Sequence, residues 1–187
     1  MSTKIIDMLA QREGMSSLPK VDPNTQSISP KDGQDTNLLS QAAISSVLAA
    51  FYKYSRDESN AENILGQNDI SEWPEKLFGH NKSNLIVKIA SYSGASDMQA
   101  KTKINKVIAD FLQVIKELAP DNSGKTVKNL LTEERHGILA HLPAVIGLGK
   151  LLDDTTLDDR TNKMEGPISG LMHKIEKTFA GSDTQDK

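Results

Sequence analysis

Residues 96–120 read SDMQAKTKINKVIADFLQVIKELAP, and this stretch decides the fold class. Ile104, Val107, Ile108, Phe111, Leu112, Ile115 and Leu118 recur at intervals of three and four, the spacing that lines up side chains on one face of an α-helix. Ser96 and Gln99 stand in capping-box spacing, so each side chain can take up a backbone N–H left free in the first turn. Pro120 stops the helix, because it lacks an N–H and its ring clashes with the preceding turn. A long helix with one apolar stripe has to lie against other helices.

The same periodicity runs in both directions from there. Leu38, Leu39, Ala42, Ala43, Val47, Leu48, Phe51 and Tyr54 make a wide apolar face on a predicted helix from Thr36 or Asn37, as N-cap, to about Ser55. Short helices are expected over 58–65, with Gly66 as a left-handed stop, and after Ser71, with Trp73, Leu77 and Phe78 before Gly79. Another covers 83–91, with Leu85, Ile86, Ile89 and Ala90 inward and Gly94 as its end. Beyond Pro120, two short helices are expected over 126–131 and 132–141, with Thr132 capping the second. Pro143 can open a further helix carrying Val145, Ile146, Leu148, Leu151 and Leu152. A final one follows Pro167, with Met164, Ile168, Leu171, Met172, Ile175 and Phe179 on one face. No segment alternates long enough to make a strand, and no fixed-period repeat is evident. The expected architecture is all-α, a compact bundle of six to eight helices of unequal length.

Residues 4–12 can form a short amphipathic helix through Ile5, Ile6, Met8 and Leu9. The stretch 14–34 holds Pro19, Pro23, Pro30 and Gly33 among many polar residues, a composition too polar to pack by itself. The expected organisation is a mobile N-terminal segment over 1–35, one helical domain over 36–180 and a polar tail over 181–187.

Composition narrows the function classes. At 187 residues, 37% hydrophobic and 25% charged, the chain is globular in character, and aromatics at 4% leave an aliphatic core. There is no cysteine, which excludes disulfides, thiolate metal sites and a cysteine nucleophile. Asp7, Gln11, Arg12 and Glu13 interrupt any signal-peptide-like run, and no run approaches the roughly 20 apolar residues of a transmembrane helix. A cytoplasmic protein without a transmembrane segment is expected. Charge is uneven: residues 1–75 carry six basic and eleven acidic groups, 76–128 nine and four, and 129–187 seven and ten. The middle third is a lysine-rich face without arginine.

Each candidate site has to be weighed against a plainer reading. Glu133 and His136 have the Glu-x-x-His spacing of di-iron bundles, but such sites need a second pair and two further carboxylates, and no second pair exists. His141 points about 140° around a helix from His136. An acidic helix start is the plainer reading, and no metal or other cofactor is expected. The acidic loop 153–159 offers carboxylates for calcium, yet lacks the glycine turn and closing glutamate of an EF-hand, and Lys150 and Arg160 would compete. Whether it binds a cation is left open. Ala90 and Gly94 flank a turn between two helices, which resembles a helix-turn-helix and would present Lys101, Lys103 and Lys106 to DNA phosphates. Without arginine for guanine edges, an ordinary hairpin is the plainer reading. Residues 137–152 carry one charge, Lys150, and are expected to form the bundle's buried central hairpin; a membrane-surface position is the alternative. His80 has no acidic partner at helical spacing, and no catalytic partner is assigned to His173. The Gly-x-Ser-x-Gly, Walker and dinucleotide signatures are missing, so no catalytic residue is nominated.

Three places in the chain resemble the YidB-like family of bacterial proteins of unknown function. They are Leu77-Phe78-Gly79 with Ser93-Gly94-Ala95-Ser96 and the long helix, Leu139-Ala140-His141-Leu142-Pro143 leading into Gly147-Leu148-Gly149, and Leu151-Leu152-Asp153-Asp154 followed by Leu157-Asp158-Asp159. The likeness spans 38–180. It implies an all-helical fold and no activity. The function expected is a non-enzymatic binding or assembly protein, with a protein partner or a second copy of itself. The alternative is a DNA-binding protein using the hairpin over 85–118.

Overall fold

The computed structural model describes residues 5–22, 37–67 and 69–158. These form seven helices of six residues or more: α1 (Ile5–Arg12), α2 (Leu38–Tyr54), α3 (Glu58–Gly66), α4 (Trp73–Phe78), α5 (Lys82–Ser93), α6 (Asp97–Leu118) and α7 (Gly124–His141). Single helical turns at Ala144–Ile146, Leu148–Leu151 and Thr155–Leu157 complete the described chain, which contains no strand. The all-α expectation holds. The predicted last helix after Pro167 and the tail over 181–187 lie outside the described residues.

The centre of the bundle is α2. Between Leu38 and Tyr54 its only charge is Lys53, and twelve consecutive residues from Ser40 to Phe51 are buried. A helix that is apolar or small all round sits inside the core rather than on its surface. It is enclosed by α1, α4, α5, α6 and α7. Phe51 stacks on Phe111 of α6 at 4.0 Å between ring centroids and meets Trp73 of α4 at 5.1 Å, so one aromatic cluster ties three helices together. The sequence assigned the central place to residues 137–152. That stretch is largely buried, with Ile138, Leu139, Ile146, Leu148 and Leu151 inward, but it flanks α2 and leaves Val145 65% exposed.

Local chemistry explains the helix ends. The Asn37 carboxamide oxygen accepts from the Ser40 N–H at 2.9 Å, and Ser96 with Gln99 forms the reciprocal capping box read from the sequence. Gly94 closes α5 at φ +71°, a left-handed conformation that costs glycine little. Gly66 does not act this way: it stays in the last turn of α3, and Gln67 ends the helix in extended conformation.

Two further expectations change. The two short helices over 126–131 and 132–141 are one continuous helix, α7. Thr132 is no cap, because its hydroxyl donates back to the Lys128 carbonyl at 2.7 Å, a bond that a helix interior accommodates. Gly124 at the start of α7 lets α3 approach closely, for a Cβ there would stand 2.8 Å from the Glu58 carbonyl oxygen.

The boundary at residue 36 does not divide the core. Ile5, Ile6, Leu9 and Ala10 of α1, with Met15 and Leu18 after it, belong to the same buried cluster as α2 and α6. Apolar residues in an otherwise polar stretch suffice when each finds a cavity to fill. Polar bonds then fasten the segment: the Gln41 side-chain amide donates to the Pro19 carbonyl at 2.9 Å and to the His141 carbonyl at 3.2 Å, and the Val21 N–H donates to the Ala140 carbonyl at 3.0 Å.

Candidate functional site

A groove of about 320 Å³ opens on one side of the bundle, between α4, α5 and α6. Ile70, Ser71, Pro74 and Phe78 form one wall, Lys82, Leu85 and Ile86 the second, and Lys101, Ile104 and Asn105 the third. Chain geometry explains the opening. The six residues of α4 extend about 9 Å, whereas the 22 of α6 extend about 33 Å at 1.5 Å per residue. Gly79, at φ +49°, turns the chain away at the end of α4. The short helix therefore leaves Ile86 of α5 and the Lys101 edge of α6 only partly covered by the described residues. Ile70 is 39% exposed at the mouth.

The three lysines nominated for phosphate binding do not share a face. Lys101 lines the groove. Lys103 and Lys106 turn to the other side, where both pair with Glu13, the second at 2.6 Å. Helical rotation accounts for the split: at about 100° per residue, Lys101 is about 140° or more from each of the others, which are about 60° apart.

Glu13 follows directly on α1, and its carboxylate is only 4% exposed. Burial works to raise its pKa. The hydrogen bonds and charges of Lys103 and Lys106 together outweigh this and hold it below the ordinary value. Ser40 also donates to it at 3.2 Å, and Lys106 pairs in addition with Asp110 at 2.8 Å. Beside this hub Arg12 binds Gln113 at 2.6 Å and Glu117 at 2.7 Å. Sequence reading missed Glu13, since its two lysine partners lie 90 or more positions away.

The other candidates resolve into structural roles. His141 is buried at the end of α7, its Nδ1 2.6 Å from the Gly137 carbonyl, and burial pushes its pKa down. Asp154 accepts from Arg56 at 2.6 Å and from Thr156, and these hold its pKa down against the effect of burial. Asp158 accepts from the Gly149 N–H at 2.9 Å. Asp154 and Asp158 of the acidic loop are thus engaged by the protein, Asp153 is exposed, and Asp159 lies outside the described residues. Glu133 and His136 are exposed, and no three His, Asp or Glu side chains gather to hold a metal among the described residues. No helix of the described chain is long and apolar enough to cross a membrane.

No protein-family model matches the chain, and no curated protein or solved structure is detectably similar to it.

Proposed function

We propose that this chain is a non-catalytic binding or assembly protein whose binding face is the groove between α4, α5 and α6. The observation that carries the reading is the pairing of an apolar lining with a solvent-open mouth between α4, α5 and α6. A concave apolar surface with a few polar groups at its edge is the usual form of a recognition site, because it gains from removing water while the polar atoms fix orientation. The nucleic-acid alternative has weaker support: Lys103 and Lys106 face a buried carboxylate rather than solvent phosphates.

The test is a titration of isotope-labelled protein with an amphipathic helical peptide carrying Leu at positions i, i+3, i+4 and i+7 and uncharged flanks, followed by backbone amide shifts. Saturable shifts confined to residues 70–78, 82–86 and 101–105 are expected. Saturable shifts elsewhere, or none, would remove the groove as the binding face.

A further inference from the structure

The geometry points to an acidic amphipathic α-helix of another protein as the groove's partner, its apolar face on Ile70, Pro74 and Ile86 and a carboxylate on Lys101. This rests on the binding reading above and names the occupant.

Charge complementarity carries the choice. The groove lining contains two ammonium groups, Lys82 and Lys101, and no carboxylate. Lys101 is exposed and makes no ion pair among the described residues, whereas Lys103 and Lys106, two and five positions along the same helix, both pair with Glu13. Lys82 pairs with Glu75 at 2.8 Å, but that pair lies on the surface, 41% and 62% exposed, where exchange for another carboxylate costs little. The side chains that line the groove thus carry two positive charges and no negative one, while Asp69, Glu72 and Glu75 stand beside its first wall. An apolar lining under a positive rim is matched by a ligand with the opposite layout.

Shape selects a helix. The groove runs between helices and presents no strand edge, so an incoming segment has to satisfy its own backbone, as a helix does. At about 320 Å³ it stands at the lower end of the roughly 300–1,000 Å³ of ligand sites. That accepts a few side chains presented at helical spacing rather than a whole cofactor. Ser71 and Asn105 supply neutral hydrogen-bonding groups at the edge.

The experiment is fluorescence anisotropy on the full chain with two labelled helical peptides. Both carry the same leucine stripe, one flanked by Glu and the other by Lys. The Glu peptide should bind roughly tenfold more tightly, with a preference that weakens as salt rises. K101E should reverse the order, and K101Q should abolish the preference without reversing it. Lys101 is exposed, so neither variant should disturb folding. Equal binding of both peptides, unchanged by K101E, would overturn the acidic partner while leaving the groove as an apolar binding face. Peptide binding only after Leu171→Glu and Ile175→Glu are introduced would show that the chain's own C-terminal stripe fills the groove, and would overturn the external partner. Binding of labelled duplex DNA by a chain that ignores both peptides would overturn it too.

Discussion

The two flanks of α6 make an instructive pair. Toward α1, Ile5, Leu9 and Ala10 are buried in the common core, and the lysines at the edge close on Glu13. Toward α4 and α5, the same helix offers Ile104 beneath an open groove, with Lys101 facing solvent. Lys101 and Lys103 differ by two positions and face opposite surroundings. A lysine beside a buried carboxylate is part of the scaffold, because without the lysines the Glu13 charge is stranded out of water. A lysine above an apolar opening is available for recognition. The difference lies in what the neighbouring helix covers, not in the residue type.

This contrast can be broken most forcefully at α1. Leu9→Ala, at a side chain 1% exposed, should cost about 2–5 kcal/mol in urea unfolding, the usual range for a core leucine. A cost within the scatter of surface substitutions would mean that α1 is an appendage and the closed flank is not closed. Glu13→Gln should cost less, about 1–2 kcal/mol, since it removes charge-assisted bonds to lysines that are partly exposed. Its pH dependence has a definite sign. The folded pKa of Glu13 lies below the ordinary carboxylate value, so its contribution is fully present above that value and is lost as pH falls through the carboxylate range toward the folded pKa. Unfolding profiles of the parent and Glu13→Gln should converge in acid. Parallel profiles down to strongly acid pH would separate Glu13 from the acid sensitivity.

Much of this architecture was legible in the chain, and the illegible parts share one cause. The stripe of α6, the Asn37 cap, the capping box and the Gly94 turn are local, and each was readable because its physics is contained within a few residues. The single helix α7 was misread as two because Thr132 resembles a cap, and only the continued packing of Leu131 and Ile138 shows that the turn goes on. The segment after α1 was misread because its few apolar residues, Met15 and Leu18, acquire meaning only against α2. Lys101 was singled out for charge, yet its distinction from Lys103 depends on a glutamate about ninety positions away. The groove itself has no sequence signature: it follows from the shortness of α4.

The smallest effect on stability belongs to the open flank, and it gives the most direct test. Ile70→Asp places a charge at the mouth of the groove, where the parent side chain is already 39% exposed. If the groove is a solvent-open recognition face, unfolding free energy should change by no more than about 0.5 kcal/mol, as for a surface substitution, while affinity for the uncharged leucine-stripe peptide collapses. Destabilisation on the scale of Leu9→Ala, or peptide binding that ignores the substitution, would contradict the assignment of that flank to recognition.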